Sequence, residues 1–373
     1  MGLRKIVDNI KPTFSKGGKL GFLHSTFDAF ETFLFVPNTV TKRGAHVRDC
    51  VDLKRIMIIV VLALVPSLLF GIWNIGYQHN LASGGDMGFW AMIWYGILKI
   101  LPLYLVSYIV GLGIEFISAQ IKGHEVNEGY LVSGMIIPLI MPVNVPLWML
   151  ALAVIFAVII GKEIFGGTGM NIWNPALLAR AFLFFAYPSH MSGDKVWVAG
   201  VDGYTGATPL AQAAAGEQLP SVMEMVIGTI PGSIGETSVI AVLIGAVILI
   251  ATGVASWKIM VSAVIGGLFV GGIANLCGAE GSYLALPCWQ HLVMGGFLFG
   301  AVFMATDPVT SAQTEKGKWI YGFLVGAVAI IIRLFNAGYP EGMMLAILLM
   351  NTFAPLIDHY VVNSNIKKRM RRA

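Results

Sequence analysis

The sequence is short of charge. Only 12% of its 373 residues are Asp, Glu, Lys or Arg, against about 25% in an average soluble domain, and 57% are apolar, with a mean hydropathy of +0.77. That excludes an ordinary soluble enzyme and points to an integral membrane protein. Cysteine is nearly absent: Cys50, Cys277 and Cys288 show no metal-ligand spacing, and three are too few for a disulfide framework. No transition-metal site is expected. Cys277 and Cys288 could pair in an oxidising compartment, although lone apolar cysteines are usually packing residues. Nor is there a signal-peptide core at the N-terminus, which is polar and basic, so the first membrane helix is expected to be retained. Alternating polarity in ten-residue stretches, the mark of a transmembrane barrel, is missing too. The apolar runs are continuous, and helices follow. What is abundant is glycine, 44 residues, which suits membrane helices whose backbones approach closely.

Ten apolar segments stand out: Ile56 to Trp73, Ile100 to Ile117, Tyr130 to Met141, Leu147 to Ile160, Ala176 to Tyr187, Val239 to Ala255, Ile259 to Leu276, Leu292 to Met304, Trp319 to Ile332 and Met343 to Val362. Several are too short for a hydrocarbon core of about 30 Å, so short or broken helices lining an interior are expected. Residues 1–55 carry ten Lys/Arg, and the last residues include Lys367, Lys368, Arg369, Arg371 and Arg372. By the positive-inside rule both ends are cytoplasmic. The net charge of +4 gathers at these ends and speaks of membrane orientation and lipid contact, not nucleic acid. An aromatic stretch, Phe22 to Phe35, suits an interfacial amphipathic helix.

Two echoes recur in the same order. Leu131-Val-Ser-Gly before the third segment matches Leu292-Val-Met-Gly-Gly before the eighth. Lys162-Glu-Ile-Phe-Gly-Gly before the fifth matches Arg333-Leu-Phe-Asn-Ala-Gly before the tenth. Two units of five crossings must have opposite orientations, the inverted-repeat plan of transporters. The expected fold is therefore all-α, with about ten transmembrane helices in two inverted five-helix repeats. The expected divisions are a cytoplasmic segment 1–55, a first repeat 56–187, an outer loop 188–238, a second repeat 239–362 and a basic tail 363–373.

Candidate chemistry is concentrated in the outer loop, which is acidic and too long for a mere connection. In Thr205-Gly206-Ala207-Thr208-Pro209 the glycine permits a tight turn, and the residue before proline is biased to extended backbone, so Thr208 can project its hydroxyl away from the turn. An ordinary loop turn would look the same. Arg180, an intramembrane charge, either serves a ligand or pairs with an acid or helix-end carbonyls. Gly166-Gly-Thr-Gly lacks the Lys-Ser/Thr ending and the preceding strand of a phosphate loop. Glu115, Glu128, Asp307 and Asp358 fall at cytoplasmic helix ends, where carboxylates could bind a hard cation or simply be solvated or ion-paired.

Along nearly its whole length the chain resembles the B-subunit family of the bacterial sodium-translocating NADH:quinone oxidoreductases. The resemblance rests on Val40-Thr-Lys-Arg, His46-Val-Arg-Asp, Val51-Asp-Leu-Lys-Arg-Ile-Met, His124-Glu-Val-Asn-Glu-Gly, Lys162-Glu-Ile-Phe-Gly-Gly-Thr-Gly, Asn174-Pro-Ala-Leu, Arg180-Ala-Phe-Leu-Phe-Phe-Ala-Tyr-Pro, Ala305-Thr-Asp-Pro-Val and Tyr339-Pro-Glu-Gly-Met-Met. It implies FMN joined through its phosphate to the hydroxyl of Thr208, the last residue of a Ser/Thr-Gly-Ala-Thr motif. It further implies a noncovalent riboflavin nearer the cytoplasm, for which no local motif marks a pocket. A quinone region is implied at Gly111 and Glu115, and sodium or quinone handling at Glu115, Asp307 and Asp358; an electrostatic role of Arg180 toward a reduced flavin is expected. This sequence has Gly111-Leu112-Gly113, where related chains can have adjacent glycines. Implied partners are the NADH-oxidising flavin and iron–sulfur subunit, a second FMN subunit, other subunits of the complex, quinone and lipid, in a bacterial inner membrane. The chain itself shows no NADH-binding domain or iron–sulfur ligand set. Two other readings share features with this one: the homologous D-subunit of the complex joining ferredoxin and NAD, which Val40-Thr-Lys-Arg disfavours, and a non-redox inverted-repeat solute channel.

Overall fold

The computed structural model describes residues 3–15, 18, 20–24, 27, 30–32, 35, 41, 43–45, 47, 53–122, 129–200, 206–278, 283–336 and 341–372. Val40, His46, Glu128, the Asp202–Thr205 part of the outer motif and part of the expected interfacial stretch Phe22 to Phe35 lie outside the described residues.

Among the described residues the secondary structure is helical throughout. A first amphipathic helix α1 (Leu3–Phe14) is tied down by Arg4 and Lys11, both paired with the buried Glu31. The first repeat comprises α2 (Leu53–Ser83), α3 (Phe89–Lys122), α4 (Tyr130–Leu139), α5 (Leu147–Val158, continued by a wide turn Ile159–Glu163) and α6 (Pro175–Ala186). The outer connection carries α7 (Pro209–Ala215) and α8 (Val222–Ile227). The second set comprises α9 (Val239–Ala251), α10 (Trp257–Cys277), α11 (Gln290–Val293), α12 (Phe297–Phe299, continued by a wide turn Gly300–Met304), α13 (Glu315–Phe335) and α14 (Met343–Met370).

All ten expected segments contain helix, but only α2, α3, α10, α13 and α14 are long and apolar enough to span a membrane alone. The ten residues of α4 cover about 15 Å, half a hydrocarbon core. Beyond it the chain turns through Ile140 to Val145, mostly inside the protein. The eighth segment, Leu292 to Met304, is broken. Met294 is extended and Gly295 has φ +63°, a conformation that penalises any side chain, so α11 stops and α12 starts afresh. Breaking a helix at membrane depth frees carbonyls, and protein must satisfy them. Arg333 does so. Its guanidinium donates to the carbonyls of His291 and, at 3.1 Å, Met294, and lies over the Phe297 ring.

The packing repeats across the two halves. In the first, α3 packs on α4 and α5, α5 on α6, α2 on α4, and α4 on α6. In the second, α10 packs on α11 and α13, α13 on α14, α9 on α12, and the wide turn after α12 on α14. The sets meet through α2 with α9 and α6 with α14. Two five-helix units of one plan would give this pattern. Close approach recurs between α10 and α13, where a side-chain carbon on Gly266 or Gly326 would run into the partner's backbone, and between α2 and α3, where one on Gly76 or Gly96 would do the same. Lys162 and Arg333, the two basic residues that the echoed motifs align, end α5 and α13, and both are buried.

Candidate functional site

The third segment and α6 are short and the eighth segment is broken, and cavities lined by polar side chains lie beside them. Asn174 starts α6: its side chain accepts from Ala176 N at 3.0 Å and Leu177 N at 3.4 Å, and Pro175 occupies the first helical position, where its missing N–H costs nothing. The same Asn174 reaches the Asp307 carboxylate at 3.4 Å. Asp307 also accepts from Val309 N at 3.1 Å and Thr310 Oγ1 at 3.0 Å. Burial pushes its carboxyl up, against these hydrogen bonds. Asn174 and Asp307 line a cleft of about 800 Å³, open mouth included, with Lys162, Thr168, Asn171 and Phe303 among its walls; it is called the inner cleft, and the one beside Thr208 the outer, after the sides that the charge bias leads one to expect. The Thr168 hydroxyl is buried there without a hydrogen-bond partner.

Six residues along α6 from Asn174, about 9 Å at 1.5 Å per residue, stands Arg180, 3% exposed. It is paired with two acids: Nη1 bonds Glu236 at 3.2 and 3.3 Å, and Nη2 bonds Glu341. One guanidinium thus stands between two carboxylates. Burial pushes the Glu236 carboxyl up; Arg180 beside it pulls it down, and the like charge of Glu341 adds to the rise. Glu236 and Glu341 face two cavities. A small inner one is lined by Arg180, Gly296, Gly300 and Met304. The outer cleft, about 320 Å³, is lined by both acids together with Thr208, Pro209, Ile230, Ser233, Thr237 and Gly295.

Thr208 is half-buried at this outer cleft. Its ψ of 154° is the extended backbone expected before proline, but its hydroxyl does not project away from the turn. It turns back as the cap of α7, accepting from Ala211 N at 3.3 Å. Capping donors want an oxygen there, and a threonine Oγ supplies it.

The remaining candidates fall elsewhere. Glu115 is not a solvated helix end: α3 runs on to Lys122, and Glu115, 4% exposed, is ion-paired with Lys162 behind the inner cleft. Gly111 does not line an open pocket, because a side-chain carbon there would fall within the Tyr130 ring. Asp358 lies within α14 and accepts from Gln313 N at 2.7 Å, Thr314 N at 3.0 Å and Thr314 Oγ1 at 2.6 Å, holding the start of α13. Cys277 and Cys288 are free thiols. Gly166, Gly167 and Gly169 all have positive φ, as a turn requires and as the absence of a phosphate-loop ending suggested. Arg180 and Thr208 are thus joined through Glu236 and Glu341, which sequence reasoning passed over. The signal in the sequence was Arg180 itself, since a buried arginine demands an acid.

Helical throughout its described residues, glycine-packed, short at the third segment and broken at the eighth, the protein is a multi-pass membrane protein with polar-lined cavities among its helices. The family model described as the NQR2, RnfD, RnfE family matches residues 40–367, and the chain belongs to that family. It is 48% identical over 402 residues to the B-subunit of the Na(+)-translocating NADH-quinone reductase of Stutzerimonas stutzeri, covering all of both chains. It is 46% identical over 399 residues to the corresponding B-subunit from Chromohalobacter salexigens, covering 100% of this chain and 97% of that one. A third such protein, from Azotobacter vinelandii, is 45% identical over 402 residues and is likewise covered in full.

Proposed function

We propose that the chain is the membrane redox subunit of a sodium-pumping NADH:quinone oxidoreductase of a bacterial inner membrane, with both termini cytoplasmic and Thr208 carrying FMN as a phosphoester. The observation that supports this most is the full-length likeness to B-subunits of such reductases, together with the threonine of the flavin motif standing at a cleft. The fit is favourable. Thr208 is half-buried, so its hydroxyl can be reached from outside, and Pro209, Leu210, Ile230 and Pro231 give an apolar wall. When bound, the flavin supplies one- and two-electron chemistry, and its surroundings tune the potential.

The chain's own residues hold and insulate. Capping by Thr208 fixes the attachment point on α7. Arg180, held by two carboxylates, does not offer a free cation to an anionic flavin; it keeps both acids in place at the floor of the cleft. The inner cleft suits a second flat ligand. Asn171, Asn174, Thr168 and Asp307 can hydrogen-bond the edge of a riboflavin ring, and Phe303, Ile136 and Leu249 can cover its face. Lys162 reaches the same cleft and is neutralised by Glu115 from behind. Electrons from partner subunits, which hold the NADH and iron–sulfur sites in this reading, would pass between the clefts to quinone.

The test is fluorescence of bound flavin in a denaturing gel, with the protein made alongside its flavin transferase. Wild type should carry flavin and Thr208→Leu none. Denatured wild type without flavin would leave a non-redox channel as the better reading.

A further inference from the structure

The floor of the outer cleft is built from oxygen. Glu236 and Glu341 line it with Ser233 and Thr237, which are 3% and 4% exposed. The Thr237 hydroxyl has no hydrogen-bond partner, and the Ser233 hydroxyl leans toward the Glu236 carboxylate without completing a bond. Buried hydroxyls are rarely left so, because each unmade bond costs about 1–3 kcal/mol. A ligand that accepts lone pairs would satisfy them.

The charge points the same way. Glu236, in the loop before α9, faces Arg180 on α6, Glu341 at the start of α14 and Gly296 between α11 and α12. Arg333 binds the backbone carbonyl of Glu341 at 2.9 Å, while Arg180 binds its carboxylate. Each carboxylate oxygen has two lone-pair sites, so a carboxylate held by a guanidinium can also take part in coordinating a cation. Arg180 offsets one of the two carboxylates and Arg333 stands at the backbone of the other, so a single added positive charge is the most the site accommodates, which a monovalent cation supplies and a divalent cation overshoots. About 20 Å³ of the cleft admits the centre of a water-sized sphere, room for one water or one small bare ion. Carboxylate and hydroxyl oxygens are ligands for hard cations.

We infer that the outer cleft is a sodium site, with Glu236, Glu341, Thr237 and Ser233 as ligands and Arg180 as the fixed counter-charge that holds both carboxylates in place. The choice of sodium over other small monovalent cations rests on the pump assignment made above; the site itself rests on the geometry.

Hydrogen exchange of the intact purified complex, followed by mass spectrometry at matched ionic strength in NaCl, KCl and choline chloride, tests it. Peptides covering residues 229–240 and 341–346 should exchange at least twofold more slowly in sodium than in potassium or choline, saturably. Thr237→Val, which keeps the shape and removes one ligand, should abolish or weaken that difference by at least fivefold in sodium concentration. Glu236→Gln should do the same. Equal exchange of the wild type in all three salts would sink the site, as would undiminished sodium protection in both variants. Flavin fluorescence of the same samples separates the two ideas: loss of flavin from Thr208 bears on the redox assignment, whereas the sodium difference bears on this site alone.

Discussion

At the scale of single residues, buried charge decides most. Arg180 sits between Glu236 and Glu341, all three in the protein interior or nearly so. Removing one partner of a buried ion pair typically costs about 3–5 kcal/mol, because the other charge is left unsolvated. Arg180→Met should therefore lower the unfolding midpoint of the detergent-purified complex strongly, and Arg180→Met combined with Glu236→Gln and Glu341→Gln should recover much of that loss. A triple variant no more stable than the single one would refute the triad as the cause. His291 makes a second residue-scale case. It is wholly buried, neither ring nitrogen has a hydrogen-bond partner, and burial with the nearby Arg333 holds its pKa down to about 4. The unfolded chain binds this proton near pH 6.5 and the folded chain only near 4, so the stabilisation is complete above pH 6.5 and lost as pH falls toward 4. The span corresponds to roughly 3 kcal/mol at 1.36 kcal/mol per unit. Thermal melts between about pH 4.5 and 7.5 should show this loss in the wild type and a flatter profile in His291→Phe.

At the scale of elements, glycine content alone announced close packing but not which glycines matter. Gly111 and Gly113 are two residues apart on α3, yet a side-chain carbon at Gly111 collides with Tyr130, while one at Gly113 meets nothing within 4 Å. Overpacking of this kind costs about 1–3 kcal/mol. Gly111→Ala should destabilise the complex and shift α4, read as a lower melting temperature and faster exchange over residues 130–139, while Gly113→Ala leaves both unchanged. Effects of Gly111 substitutions on ligands would then act through Tyr130. The contrast also marks what was legible beforehand. Hydropathy located all ten segments, since apolar length is written directly in composition. The break at Met294 to Gly296 was not visible, because a Gly-Gly pair inside an apolar run reads equally as a packing surface. Only Arg333, binding the freed carbonyls from α13, distinguishes the two, and that contact spans about forty residues. The lengths of α3 and α14 were underestimated for the opposite reason: Glu115 and Asp358 looked like helix ends, whereas an ion pair and a loop's amides accommodate them within longer helices.

At the scale of the whole molecule, the short helices bring the two cavities close together. Asn174 in the inner cleft and Arg180 behind the outer one share α6, and Phe303, Gly300 and Gly295 place all three cavities along one broken segment. Full-length helices would have kept the clefts a hydrocarbon thickness apart; the short ones leave only the stretch of α6 from Asn174 to Arg180, roughly 9 Å. That proximity serves electron transfer only if the clefts open on opposite sides of the membrane. The charge bias is the ground for expecting that they do, since it assigns the basic end of α14 to the inside and the α7 loop to the outside. Single cysteines at exposed positions test this in a background lacking Cys50, Cys277 and Cys288. Glu217→Cys, just beyond α7, should react with an impermeant maleimide in cells whose outer membrane alone has been opened. Arg371→Cys, in the tail, should react only after the inner membrane is breached. Equal labelling of both before that breach would place the two clefts on one side, and the separation of outer flavin from inner quinone would fall with it.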